Sequence, residues 1–125
     1  MDNKKKVVIV EDDEHIAKVY RLKLESEGII SILASDGEEA VDKIFSEKPD
    51  LILLDLMLPK KDGFWVLEQT RANLEFLNTP IIVLSNLWEQ TDKERALVLG
   101  ANDYLVKIDN TIQEVVDKVK VYLKI

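Results

Sequence analysis

A chain of 125 residues with 46% hydrophobic content fits one compact domain, residues 1–125, with a sizeable core. A net charge of -7 and a pI of about 4.8 argue against direct nucleic-acid binding, which calls for a basic footprint. The lack of cysteine excludes a disulfide framework, thiol catalysis and thiolate metal sites.

The charged lead-in, Met1 to Lys6, has no signal-peptide core. Its Lys4-Lys5-Lys6 run reads as a solvated approach to a strand rather than a basic recognition motif. No stretch is long enough to span a membrane, and the expected location is the cytoplasm. Lys6–Val10 predicts a first strand that stops at Glu11-Asp12-Asp13-Glu14. Ile16, Val19, Tyr20 and Leu24 then share one helical face, and Gly28 closes the helix. Asp13 and Glu14 suit that helix's first turn, where acids favour the dipole. His15, the only histidine, reads as a surface helix residue rather than a phosphoacceptor.

Ile29–Ala34 predicts the second strand. Asp36 stands at an N-cap, and Ala40, Val41, Ile44 and Phe45 mark the second helix. Pro49 ends the connection into Leu51–Asp55, the third strand. Phe64, Leu67 and Leu74 mark the third helix, and Pro80 precedes Ile81–Leu84, the fourth strand, which runs into Ser85. The helix from Glu89 to Leu99 has the least regular pattern and should be the least firmly packed; Gly100 stops it. Tyr104–Val106, the fifth strand, ends at Lys107. Thr111 caps the last helix, whose Ile112, Val115, Val116, Val119 and Leu123 keep the cleanest period.

No repeat, low-complexity tract or linker interrupts this alternation. It predicts a doubly wound, flavodoxin-like α/β fold with five helices around a five-stranded parallel sheet. The first, third and fourth strands are continuous apolar blocks, as strands covered on both faces are. Right-handed crossovers put every strand-end loop on one edge. The order 2-1-3-4-5 sets a switch point between strands one and three, where such sheets bind ligands.

Glu11, Asp12 and Asp55 come from those two strands. Acids gathered beyond buried strands are costly unless a cation sits among them. Magnesium prefers octahedral oxygen and keeps some of its waters. Asp12 and Asp55 are the candidate direct ligands, with Glu11 acting through water and the Met57 backbone carbonyl as a third protein ligand. A carboxylate can also be a nucleophile, forming an aspartyl phosphate, and Asp55 stands at a strand tip suited to this. Lys107 would neutralise phosphoryl charge, and the Ser85 hydroxyl can donate to a phosphoryl oxygen. Alone, each has an ordinary reading: a strand-end aspartate as a cap, a surface lysine, a turn serine. Their joint placement, each at the end of its own strand, favours a site.

These stretches resemble the response-regulator receiver domain of two-component signalling, along essentially the whole chain. VVIVEDDEHI is similar to the family's acidic-pair strand. LILLDLMLPKKDGFWVLE is similar to its phosphoacceptor strand and loop, with Pro59 and Gly63 in the usual places. IIVLSN matches the strand ending in a hydroxyl residue, and DYLVK the strand carrying the aromatic and the lysine. The spacings from Asp55 to Ser85, Tyr104 and Lys107 also fit. The resemblance implies a magnesium-dependent switch, not an enzyme, whose only covalent chemistry is phosphorylation and dephosphorylation at Asp55. It implies a histidine kinase or histidine phosphotransfer protein as donor. Ser85 would then move toward the phosphoryl group and Tyr104 turn inward, changing the face of the fourth helix, fifth strand and fifth helix. It also implies homodimerisation through that face, with the output partner unspecified.

Three features depart from the family pattern. Ile108 follows Lys107 where proline with a cis bond is usual. A cis bond without proline costs about 3–4 kcal/mol, so either a trans bond with a reshaped loop or a strained cis bond is expected. Asn86 follows Ser85 where a small residue is usual, and its bulk narrows access to Asp55. Met57 and Leu87 occupy positions that border the path of attacking water in this family. Both are apolar and cannot orient or activate a water, so slow self-dephosphorylation is expected unless both side chains point away. Trp65 and Trp88 also stand out, and Trp88 is open to either an interface role or partly buried packing.

Two other classes remain. A receiver-like interaction module working without phosphorylation would have an incomplete pocket. A small flavodoxin-like or phosphotransfer enzyme would need a glycine-rich phosphate loop, and the 4 glycines are not clustered. Nothing in the sequence separates a stand-alone receiver from the receiver part of a longer regulator.

Overall fold

A computed structural model of the chain describes residues 4–125; Met1 to Asn3 of the charged lead-in lie outside the described residues. The elements alternate as β1 (Lys6–Val10), α1 (Glu14–Ser26), β2 (Ile30–Ala34), α2 (Gly37–Glu47), β3 (Leu51–Leu54), α3 (Gly63–Ala72), β4 (Ile81–Ser85), α4 (Gln90–Val98), β5 (Asp103–Val106) and α5 (Ile112–Leu123). The sheet is parallel, in the expected order β2-β1-β3-β4-β5.

The register explains how the site is assembled. Val10 pairs with Leu54, and Ser85 pairs with Val106. β1 and β3 therefore end level, as do β4 and β5, while β4 runs two residues past the Leu54–Val83 pair that closes β3. The residues that follow these strands share one edge. Successive strand residues point to opposite faces. Val8, Val10, Ile52, Leu54, Ile81 and Val83 pack on the side of α2, α3 and α4. Val7, Ile9, Leu51, Leu53, Ile82 and Leu84 pack on the side of α1 and α5. Each fully buried leucine or isoleucine adds about 1.5–3 kcal/mol relative to an exposed one, so both layers of the core hold the sheet in place.

Helix ends follow local chemistry. Asp13 is the N-cap of α1 rather than part of its first turn, accepting from the backbone N–H groups of His15 and Ile16. Asp36 caps α2, and Thr111 forms a reciprocal capping box with Glu114 at α5. Gly28 and Gly100 turn the chain after α1 and α4 with positive φ. The N-cap of α4, Glu89, makes no side-chain cap bond, and Ala96 alone of that helix is buried. The weak pattern of this segment thus corresponds to a weakly anchored helix.

Several expectations need correction. β2 starts at Ile30 rather than Ile29, β3 stops at Leu54 rather than Asp55, β4 includes Ser85, and β5 starts at Asp103. Leu74 is not on the buried face of α3, because that helix ends at Ala72. Asn73 is extended there and caps a 3-10 turn, Leu74–Phe76, by accepting from the Glu75 N–H. This rotates Leu74 into solvent and puts Phe76 in the core, stacked on Phe45 at 5.4 Å. Val19, Phe45 and Ile112 share the predicted helix faces but stay about two-fifths exposed. Trp88 is 67% exposed, against a packing role. The Lys107–Ile108 bond is trans and opens a 3-10 turn, Lys107–Asp109.

Candidate functional site

Asp55 follows β3 by one residue, and its N–H donates to the Val10 carbonyl at 3.0 Å, extending the β1–β3 pairing past the strand. The Met57 N–H donates to Asp55 Oδ1 at 3.1 Å, which fixes one carboxylate oxygen. The chain then returns close to itself: the Gly63 N–H donates to the Leu56 carbonyl at 2.9 Å. A Cβ on Gly63 would lie 2.4 Å from the Asp55 carbonyl oxygen, so only glycine permits this approach.

Glu11 is held in the same way at the end of β1. Its N–H donates to the Ala34 carbonyl, and its Oε2 accepts the Asp13 N–H. Asp12, between them, is exposed. The Lys107 ammonium donates to Glu11 Oε1 and, at 2.7 Å, to Asp55 Oδ2. All three groups are at most about one-eighth exposed at the side chain. Burial pushes the Glu11 carboxyl above the usual range, and the Asp55 charge adds to this while Lys107 pulls it back. Burial disfavours the Lys107 ammonium, but its bonds to Asp55 and Glu11 win and raise its pKa, so it stays charged.

Carboxylate oxygens of Glu11, Asp12 and Asp55 lie within 4.8 Å of one another. Three hard oxygen donors, one of them open to solvent, fit a magnesium ion that retains water. The space beneath them, between Tyr20, Leu53 and Leu84, amounts to about 10 Å³. That holds no more than one water, so any ligand must approach from the loop side. There an open cleft of about 490 Å³ is lined by Asp12, Met57, Asp62, Phe64 and Leu87. Met57 and Leu87 thus face the cleft that contains Asp12.

Ser85, the last residue of β4, is fully buried, and its Oγ accepts from the Leu87 N–H at 3.4 Å. The Tyr104 hydroxyl donates to the Leu87 carbonyl at 2.7 Å. Burial, with Asp92 and Asp55 nearby, pushes the Tyr104 phenol up to about 12. The sequence-predicted residues Glu11, Asp12, Asp55 and Lys107 are therefore brought together, with Ser85 and Tyr104 tied to the adjoining loop. Sequence reasoning missed the Leu87 carbonyl as the acceptor for Tyr104, since a backbone acceptor leaves no trace in residue type. It also missed Asp62 as the N-cap of α3, although an aspartate directly before Gly63 was a readable signal.

The family model for the response regulator receiver domain matches residues 7–120. The chain belongs to that family. It is 48% identical over 103 residues to the alkaline phosphatase synthesis transcriptional regulatory protein PhoP of Bacillus subtilis (strain 168), covering 82% of this chain but 42% of that protein. The chain thus spans less than half the length of this curated relative. The receiver domain of the Francisella response regulator 1452 is similar at 36% identity and a TM-score of 0.87, over 97% of this chain and 98% of that one. The BeF3-activated N-terminal receiver domain of Klebsiella pneumoniae RstA is similar at 30% identity and a TM-score of 0.87, over 96% and 99%. The chain is a two-component receiver domain with a flavodoxin-like fold. No helix among the described residues is long and apolar enough to cross a membrane.

Proposed function

We propose that residues 1–125 act as a phosphorylation switch in the cytoplasm, with Asp55 as the phosphoacceptor. The observation that supports this best is the Lys107 ammonium bonded to Asp55 within a cluster of three acids. In this reading an Asp55 carboxylate oxygen attacks phosphorus, the phosphorus–nitrogen bond of a donor phosphohistidine breaks, and the imidazole leaves. Asp12 and Asp55 would hold magnesium directly, with the Met57 carbonyl, and Glu11 would hold it through water. When bound, magnesium neutralises charge on the phosphoryl oxygens. Lys107, released from Asp55, takes one phosphoryl oxygen, and the Ser85 hydroxyl donates to another. The Met57 N–H already points at the Asp55 carboxylate and needs no reorganisation. Apart from this self-phosphorylation and its reversal the domain is not an enzyme.

The donor is a histidine kinase or histidine phosphotransfer protein. Such a donor must dock beside the mouth. A groove of about 470 Å³ lies there, walled by Ile16, Val19, Tyr20, Lys107 and Ile112. Ile108, at the turn after β5, adds an apolar side chain that is 78% exposed. On the far side, the exposed Leu97, Val98 and Val121 suit homodimerisation through α4, β5 and α5. The contact from Tyr104 to Leu87 links that face to the β4–α4 loop, giving a two-state surface that phosphorylation biases.

The test uses Trp88 fluorescence, since this exposed side chain lies on the β4–α4 loop. Titration with magnesium and then beryllofluoride should give two saturable changes, the second lost in Asp55→Asn. A beryllofluoride response that survives in Asp55→Asn would move the site elsewhere.

A further inference from the structure

Two departures from the family pattern, Asn86 after Ser85 and Ile108 after Lys107, meet in space. The Ile108 backbone N–H donates to Asn86 Oδ1 at 3.2 Å. Both residues lie past the end of the β4–β5 ladder, whose last pair is Ser85 and Val106. A proline at 108 has no N–H to donate. Glycine or alanine at 86 would have no side-chain acceptor. Each departure therefore supplies one half of the same bond.

The bond gives a partner to an N–H at the start of the turn. Lys107–Asp109 is a 3-10 turn, and the first N–H groups of a helical turn have no partner within it. Its N-cap is Val106, whose side chain makes no cap bond. The far end is already tied, with Asn110 Nδ2 donating to the Val106 carbonyl at 2.9 Å. Asn86 reaches across from the neighbouring strand and caps the near end.

The bond joins the two loops on which the site depends. Asn86 sits between Ser85 and Leu87, which carry the hydroxyl and the carbonyl that Tyr104 holds. Ile108 follows Lys107, which reaches Glu11 and Asp55. We infer that Asn86 is a positioning residue: its side-chain oxygen, bonded to the Ile108 N–H, locks the loop bearing Ser85 to the turn bearing Lys107. The two groups that receive phosphoryl oxygens then keep their register when the loop moves. The bond is exposed to solvent, so it sets geometry more than global stability. This role rests on Asp55 being the phosphoacceptor.

The test compares wild type, Asn86→Ala, Ile108→Pro and the double variant for magnesium-dependent adduct formation from acetyl phosphate, with thermal unfolding alongside. Shortening Asn86 also widens the mouth, but that effect is common to both backgrounds at 108, whereas the bond requires Ile108. The rate ratio of wild type to Asn86→Ala should exceed the same ratio in the Ile108→Pro background by about threefold or more. Unfolding midpoints of wild type and Asn86→Ala should agree within about 2 °C. Equal rate ratios overturn the coupling. Should Ile108→Pro fail to fold, amide exchange decides the matter: Ile108 should exchange about tenfold faster in Asn86→Ala than in wild type, and unchanged exchange overturns the bond. A wild type that takes no phosphoryl group defeats the Asp55 assignment instead, and exchange at Ile108 still decides whether the bond exists.

Discussion

The two ends of this sheet use a part-buried cation to opposite effect. At the end where strand-following residues gather, Lys107 faces Glu11 and Asp55, with Asp12 close by. Charge there is left unbalanced, with one ammonium among three acids. At the other end, Arg71 at the close of α3 donates to the carbonyls of Phe76, Thr79 and Gly100 and to Asn102 Oδ1, at 2.6 to 3.1 Å. The same Asn102 oxygen accepts the Ile81 N–H that opens β4. One guanidinium thus clasps α3, the approach to β4 and the turn from α4 to β5. The anchored end gives α4 a fixed foot, while its N-terminal end carries the β4–α4 loop and lacks a side-chain cap. This contrast predicts that stability is concentrated at one end and responsiveness at the other.

The strongest way to break this division is Arg71→Ala. It leaves several carbonyls short of a donor and should cost about 2–4 kcal/mol of stability, with adduct formation from acetyl phosphate retained. Chemical denaturation checks the first part, and a loss below about 0.5 kcal/mol would dissolve the contrast. Met57→Asn places a polar group on the cleft beside Asp12 and should shorten the phosphoryl lifetime about threefold to tenfold. An unchanged or longer decay time, followed by intact mass, would remove Met57 from that role. Asp55→Asn relieves like-charge repulsion with Glu11 while Lys107 keeps one partner. It should leave stability unchanged or raise it by about 0.5–1 kcal/mol; a loss beyond about 1 kcal/mol would show that the responsive end also holds the fold.

The smallest effect concerns Tyr104. Its folded-state pKa is raised to about 12, above the ordinary value near 10. The stabilisation it brings is therefore complete below about pH 10 and is lost as pH rises toward 12. The ultraviolet tyrosinate difference between wild type and Tyr104→Phe should be absent at pH 10 and emerge near 12. A transition near 10 would mean that the phenol is solvated and the bond to Leu87 is not held.

Much of this architecture was legible because parallel-sheet strands announce themselves. Val7 to Val10 and Leu51 to Leu54 are unbroken apolar runs, and each is followed by an acid that the register then aligns. The site inherits that clarity, since Glu11, Asp55 and Lys107 need only the strand order to meet. Leu74 was misplaced because helical periodicity does not register a backbone break, and Asn73 makes one. The Arg71 clasp was invisible because its main partners are carbonyl oxygens, which every residue carries. The bond between Asn86 and Ile108 was hidden for another reason. The two residues are 22 positions apart, and only the pairing of β4 with β5 makes them neighbours.

The most direct measurement is intact mass after incubation with acetyl phosphate, with and without magnesium, on wild type and Asp55→Asn. A phosphorylation switch at Asp55 predicts a single phosphoryl adduct that requires magnesium and is absent from the variant. No adduct in the wild type, or an adduct that persists in Asp55→Asn, would contradict it.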